Sequence, residues 1–398
     1  MTPNGRTPWR APPPRILGIS TYTETHNNGL HIARLAKAAS PQTVVVIGGP
    51  HASVLYKEVA LDPAVDVVVR GEGERTMLEL AHCLIRGQGG LADVQGIAYQ
   101  ENGVLRTTAA RPPIADLDEL PYPARDLFPM QAYGYGNTVL ASRGGCPFAC
   151  HFCAVNNIWQ GKRRFRSPES VLEEIVQVLV TTPMGGLNFA DDTFTLDRRR
   201  VLEICKGLSR MRGPFPLRWR CATRVDLVDA ELLREMRHAG CRSIQFGVEA
   251  GSQRILDAIG KRVRLEQVRR AVAMTLNYGI EVTCSFMFPH PEDTEETVRD
   301  QIRLMKELRE IEGVSLTLAM TTPYPGTTYY ERASELGLSI LASDWQEYDA
   351  KHLVVATRHL TEERLQALLA EMVQEVGLQS ALQANVAQPG AGSKTWPG

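Results

Sequence analysis

The chain has 398 residues, with 44 Lys and Arg against 45 Asp and Glu and a formal net charge of −1. A balance of this kind gives neither the basic field expected of a nucleic-acid binder nor the acidic excess of a disordered chain, and the length admits two domains or one large barrel with an attachment. No run approaches the roughly 20 apolar residues that cross a bilayer, and the polar, proline-rich start lacks the apolar core of a signal peptide, so the expectation is a soluble, cytoplasmic protein with neither membrane nor nucleic acid as partner.

Residues 1–14 read as a disordered start. From 15 to 110 strand and helix alternate. The runs 15–20, 43–47 and 66–69 are short and apolar or β-branched, which suits parallel strands covered on both faces. Helical patterns occupy 30–39, 52–60 and 74–86, so this part predicts a Rossmann-like parallel α/β sheet. Gly48-Gly49-Pro50-His51 and Gly71-Glu72-Gly73-Glu74 each follow a strand and so lie at the carboxyl edge, where open α/β sheets hold ligands. Residues 111–135, with Arg111-Pro112-Pro113 and Leu120-Pro121-Tyr122-Pro123, have the composition of a stiff linker and set a domain boundary.

A second unit spans 136–340. Its first strand, 138–142, delivers the loop Cys146-Pro147-Phe148-Ala149-Cys150-His151-Phe152-Cys153. The C-x3-C-x2-C spacing offers three thiolates where a four-iron cluster ordinarily takes four. One iron is then left open for chemistry. Zinc fits less well, because adjacent Cys150 and His151 do not readily reach one ion and no second ligand pair follows. The other cysteines, Cys83, Cys205, Cys221, Cys241 and Cys284, read as small buried apolar groups rather than as a disulfide framework.

Ser167 and Pro168 open a helix. Strands then follow over 187–190, 217–222, 243–248, 281–287 and 313–320, and Asp229 and Thr294 cap two of the helices between them. Six strand–helix repeats predict a partial (β/α)6 barrel of the TIM type. Asp191, Asp192, Arg224 and Glu249 all fall at strand carboxyl ends, the rim that carries chemistry in such barrels. Residues 341–383 form a C-terminal helical segment with an amphipathic stretch over 361–376, and 384–398 read as a disordered tail.

These stretches together resemble the cobalamin-binding-domain (B12-binding) radical S-adenosylmethionine (SAM) enzymes, the group that includes the anaerobic cyclase of the chlorophyll pathway. The resemblance rests on the two glycine turns, the cysteine loop, Phe189-Ala190-Asp191-Asp192-Thr193-Phe194, Phe246-Gly247-Val248-Glu249-Ala250-Gly251-Ser252 and Thr322-Pro323-Tyr324-Pro325-Gly326-Thr327. It implies that Cys146, Cys150 and Cys153 hold a [4Fe-4S] cluster whose fourth iron takes the amino and carboxylate groups of SAM. One electron, from a donor such as flavodoxin or ferredoxin, then cleaves SAM to a radical that attacks an unactivated C–H bond of a small-molecule substrate. Methyl transfer through cobalamin is the expected outcome, with radical cyclisation, rearrangement or oxidation without methylation as the alternative. A third reading is a non-catalytic iron–sulfur protein.

Each rim residue has two readings. Phe152 offers an apolar face for the adenine or packs in the core. Asp191 or Asp192 accepts from the methionyl ammonium or caps the helix beside Thr193. Arg224 binds the methionyl carboxylate or pairs with Asp226. Glu249 accepts from ribose hydroxyls or bonds a barrel loop. Gly48, Gly49, Gly71 and Glu72 mark the edge where cobalamin would lie. By the same resemblance this domain reads as truncated, with strands missing ahead of residue 15, so weak cobalamin binding is expected. Glu24-x-His26-x-x-Gly29 nearly matches a cobalt-ligating loop but reads as coincidence, and His51 reads as a turn residue. His290, after the fifth strand, reads as a candidate substrate contact. The sequence assigns no catalytic acid or base.

Overall fold

Residues 12–130, 137–159, 161, 163–181, 186–211 and 217–378 are described by the structure, a computed structural model. The expectations for residues 1–11 and for the tail 384–398 fall outside that set.

Three parallel strands, β1 (Ile16–Ser20), β2 (Val44–Gly48) and β3 (Val67–Val69), begin the first sheet. Their side chains alternate between two apolar layers, as a strand's period of two requires. Val45, Ile47 and Val68 meet Ala33, Ala36, Ala52 and Ala60 on one face. Val46, Val67 and Val69 meet Leu80 and Ile97 on the other. Helices His26–Ala39 and Glu74–Arg86 supply much of that cover. The helix expected over 52–60 is two short pieces, Pro50–Val54 and Tyr56–Val59, interrupted at Leu55.

The strand–helix alternation does not persist to residue 110. The sheet closes instead with an antiparallel hairpin, β4 (Ile97–Glu101) and β5 (Val104–Thr107). Asn102 and Gly103 turn it with φ of +52° and +76°, the left-handed pair that two-residue hairpin loops demand.

The proline-rich segment is a fastened strap rather than a loose spacer. Arg111 donates to Thr76 and pairs with Glu79, Ile114 and Leu117 are buried, and Arg125 reaches Glu174 at 2.5 Å. Glu174, 1% exposed on a barrel helix, also pairs with Arg166, so its charge is matched by two guanidinium groups.

In the second unit the expected first strand splits into β6 (Asn137–Val139) and β7 (Ser142–Gly144). β7 pairs antiparallel with β8 (Arg163–Phe165), and the cysteine loop runs between them. Then come β9 (Gly186–Phe189), β10 (Arg218–Thr223), β11 (Cys241–Glu249), β12 (Glu281–Phe288) and β13 (Val314–Met320). With β6 they form one parallel sheet in the order β6-β9-β10-β11-β12-β13. Sequential order with a helix after nearly every strand is the partial-barrel topology read from the sequence. A small antiparallel pair, β14 (Leu338–Ile340) and β15 (Val355–Thr357), follows. The helix Glu362–Val376 buries Leu365, Leu368, Met372 and Val376 in the barrel's core.

The helix caps fall where the sequence places them. Asp229 accepts from Leu232 N–H at 2.9 Å, and Thr294 from Thr297 N–H at 3.5 Å. All eight cysteines are free thiols; Cys205, Cys221, Cys241 and Cys284 are buried, whereas Cys83 is only half-buried.

The two units join through Glu72. Its carboxylate takes Arg164 from β8 at 2.8 and 3.0 Å and the Ile114 N–H of the strap at 2.7 Å. Glu72→Ala leaves the Arg164 guanidinium buried without its partner. The expected loss is about 3 kcal/mol of stability, read as a lower denaturation midpoint with the native far-UV spectrum retained; an unchanged midpoint counts against this junction.

Candidate active site

The cysteine loop lies at the barrel rim and is fastened from several sides. His151 N–H donates to Ile259 C=O at 3.1 Å, and His151 C=O accepts from Tyr329 N–H at 3.3 Å. The Arg224 guanidinium lies over the Phe148 ring at 3.6 Å. Cys146 lies close enough to raise the pKa values of Cys150 and Cys153, and Cys150 adds to the effect on Cys153. Burial pushes the Cys150 thiol up and the Cys153 thiol to about 11, while Lys261 and Arg224 pull Cys150 down. Two thiols that resist ionisation, in a three-cysteine loop with two cations beside it, fit a metal centre that supplies the missing positive charge. Among the described residues no three His, Cys, Asp or Glu side chains converge on a single ion position. A zinc site needs that convergence; a four-iron cluster, with one thiolate to each of three irons, does not.

The rim acids divide their work. Asp191 is 4% exposed and accepts from Ala141 N–H at 3.0 Å and from the Ser142 hydroxyl. Arg200 takes the Ala141 carbonyl at 2.6 Å. Ala141 thus leaves the sheet with both backbone groups satisfied, which is why the expected strand breaks into β6 and β7. Asp192 keeps access to solvent beside Cys153; the surrounding protein pushes its carboxyl up and the Trp159 indole pulls it down. Neither aspartate caps the next long helix. Asp197 does, accepting from Arg200 N–H at 3.0 Å.

Arg224 ends β10 and is 4% exposed. Its Nε and Nη2 each meet Asp226 at 2.9 Å, and Nη2 also donates to Lys261 C=O at 2.9 Å. The ion pair with Asp226 is formed, and the same guanidinium covers a ring of the cysteine loop.

Glu249 ends β11 at a register shift against β12 with φ of +72°, a conformation side chains rarely adopt. Its carboxylate meets Lys261 Nζ at 2.8 Å. A Cβ at Gly247 would lie 2.4 Å from Glu249 Oε1 and 3.0 Å from Lys261 Nζ, so a larger residue there would displace this pair. Lys261, buried, was missed by sequence reasoning because it follows no strand and belongs to no motif. Phe152 is half-buried, with its ring 6.2 Å from His290 and 6.4 Å from Tyr329. His290, a candidate substrate contact by sequence, is 0% exposed.

The edge of the first sheet forms a second cradle. Gly49 has φ of +95°, and a Cβ there would lie 2.6 Å from Thr21 C=O, so the turn is bare of side chains by necessity. His51 stacks on His26 at 4.1 Å and meets Trp345 edge-on at 5.2 Å; Tyr348 lies 4.9 Å beyond Trp345. Burial, aided by His26, lowers the His51 pKa to about 3, so it is neutral at physiological pH. The buried His26 Nδ1 has no partner. A bare turn, an orphaned nitrogen and an aromatic wall fit a large planar cofactor. At the other glycine turn, Gly71 N–H donates to Ser53 Oγ at 2.9 Å within the same unit, and Glu72 pairs with Arg164 at the junction.

The Radical SAM superfamily model matches residues 142–305, and the B12 binding domain model matches residues 10–81. An uncharacterised methyltransferase of Pyrococcus horikoshii is 35% identical over 89% of this chain and 77% of its own length. The chain belongs to the radical SAM superfamily. Within it, the chain is one that carries a B12-binding domain, and it is an enzyme. The anaerobic magnesium-protoporphyrin IX monomethyl ester cyclase of Rubrivivax gelatinosus is 31% identical over 84% of this chain; the match spans 61% of the cyclase. In three dimensions the chain is similar to TsrM of Kitasatospora setae, a radical SAM methyltransferase solved with cobalamin and a [4Fe-4S] cluster. That match has a TM-score of 0.74 at 18% identity and covers 91% of this chain and 78% of TsrM. Membership implies a [4Fe-4S] cluster and SAM as cofactors of the chain. No helix among the described residues is long and apolar enough to cross a membrane.

Cys146→Ala, Cys150→Ala and Cys153→Ala should each lose most of their iron after anaerobic reconstitution, whereas Cys83→Ala, in the other unit, keeps it. An iron and sulfide assay checks this, and normal iron in Cys150→Ala would remove the assignment.

Proposed function

We propose that this enzyme cleaves SAM reductively and transfers a methyl group, by way of cobalamin, to an unactivated carbon of a small molecule. One observation carries the reading. Helix Pro50–Val54, which follows the Gly48-Gly49 turn, packs against helix Val155–Ile158, which follows Cys153. Asn157 then donates to the Gly326 carbonyl in the loop after β13. The two cradles are therefore neighbours, as a methyl relay between two cofactors requires. The methyltransferase relative and the likeness to TsrM support the same reading.

When bound, the cluster supplies the electron that breaks the SAM sulfonium bond, and cobalamin carries the methyl group. The chain's own residues bind and orient. Asp192, beside Cys153 and open to solvent, is the carboxylate placed for the methionyl ammonium. Glu249, backed by Lys261, accepts from the ribose hydroxyls, and Phe152 gives the adenine an apolar edge. Arg224 holds Phe148 and with it the loop. Trp345, Tyr348 and Tyr324 pack ring against ring, at 4.9 and 6.5 Å, next to His51 of the first cradle. An external one-electron donor such as flavodoxin or ferredoxin completes the cycle.

Anaerobically reconstituted protein is expected to form 5′-deoxyadenosine or S-adenosylhomocysteine from SAM and to bind hydroxocobalamin stoichiometrically in a spectral titration. SAM cleavage without corrin binding would favour hydrogen abstraction without methylation, the chemistry closer to the cyclase relative. No SAM cleavage with the cluster intact would overturn the reading. Glu249→Ala should keep its iron and lose a charged hydrogen bond to SAM, about 1.5 to 3 kcal/mol or roughly 10- to 150-fold in affinity, measured by equilibrium dialysis. Unchanged affinity would reassign Glu249 to the fold alone.

A further inference from the structure

The left-handed backbone at Glu249 needs a cause. Glutamate gains nothing locally at φ of +72°, and glycine would sit there without strain. The register explains the geometry but not its persistence. Gly247 pairs with Ser285 and Glu249 with Phe286, so Val248 is the extra residue of a bulge. Past that point the Glu249 carbonyl has left the ladder and must find a donor elsewhere.

The donor is His290. Its Nε2 lies 3.3 Å from Glu249 C=O, and its Nδ1 lies 3.0 Å from the Tyr329 hydroxyl. A carbonyl only accepts, so Nε2 carries the proton. In the neutral ring Nδ1 is then the acceptor, and Tyr329 O–H donates to it. The ring cannot turn over without breaking both bonds. Its backbone is held as well: His290 N–H donates to Asp293 Oδ2 at 2.7 Å, and Asp293 Oδ1 accepts from Thr297 Oγ1 at 2.8 Å.

These contacts close on themselves. Tyr329 N–H donates to the carbonyl of His151, between Cys150 and Phe152. Glu249 reaches Lys261, whose neighbour Gly260 brings its carbonyl to 4.0 Å from Cys150 Sγ. The chain of contacts runs from the cysteine loop through Tyr329, His290, Glu249 and Lys261 back to the cysteine loop.

We propose that His290, clamped by Tyr329, is a positioning residue that holds the left-handed backbone of Glu249 and so aims its carboxylate at Lys261 beside the cysteine loop. His290 touches neither cofactor nor substrate and acts through Glu249 alone. The consequence for SAM rests on the role of Glu249 argued above; the hold on the backbone does not.

The test has two arms. In the first, thermal unfolding of the full chain compares His290→Leu and Tyr329→Phe with the parent, in the natural background and in Glu249→Gly. Each substitution is expected to lower Tm, by about 2 to 4 °C for the milder Tyr329→Phe. Because glycine adopts the required φ unaided, the drop should shrink in the Glu249→Gly background. Drops that simply add would overturn the proposal. Tyr329→Phe removes one hydroxyl and keeps the arm readable if His290→Leu does not fold. In the second arm, on reconstituted protein with iron content checked, Tyr329→Phe and His290→Leu weaken SAM binding, and His290→Gln, which keeps a side-chain N–H near the Nε2 position, recovers part of it. In a Glu249→Gln background neither substitution should weaken SAM further; a further loss would show that His290 acts on SAM by another route and would also overturn the proposal. If Glu249→Gln by itself leaves SAM affinity unchanged, the SAM role of Glu249 fails, and the unfolding arm alone decides whether His290 holds its backbone.

Discussion

Everything at this site depends on placing a desolvated three-cysteine loop next to positive charge. The loop carries Cys146, Cys150 and Cys153 into half-buried surroundings, where burial holds the Cys150 and Cys153 thiols against ionisation. Lys261 and Arg224 are the nearby cations acting on Cys150, and both are buried. Buried cations need partners, and Glu249 and Asp226 provide them. The rim is therefore organised as alternating charge around the loop rather than as separate contacts to a ligand.

That arrangement explains why residues at equivalent strand ends do different work. Just past β9 come two aspartates; the first is consumed by the kink that launches the cysteine loop, and the second is left facing it. β10 is followed by an arginine that meets Asp226, Phe148 and the Lys261 carbonyl. β11 ends in a glutamate whose backbone is bent into the left-handed region so that its side chain can reach Lys261. A barrel rim supplies positions at regular intervals, but the charge balance around a desolvated loop decides which of them are free to bind a ligand.

The N-terminal unit is attached by the same economy. Glu72 answers Arg164 on the strand that closes the cysteine loop, and Glu174 answers Arg125 of the strap and Arg166 after that strand. The bare turn at Gly49 and the aromatic wall of His51, Trp345 and Tyr348 are thereby held against the barrel beside the cysteine loop. The histidines His26 and His51 lie on different elements and had no sequence reason to be paired, yet they stack at 4.1 Å.

The sequence by itself determined the pieces set by local periodicity and spacing. Runs such as Val44-Val45-Val46-Ile47 read as strands covered on both faces, the three-cysteine spacing singles out one loop, and strand carboxyl ends mark the rim. The hairpin at Asn102-Gly103 was also legible, though the alternation of the preceding segment masked it. Tertiary structure alone decided how the charges pair. That Arg224 meets Asp226, that Lys261 joins Glu249, that Asp191 is spent on Ala141 and that His290 lies inside the protein are facts about side chains brought together from separate strands and loops. No periodicity encodes them, because electrostatic pairing in a desolvated site depends on distances in space that the order of residues leaves open.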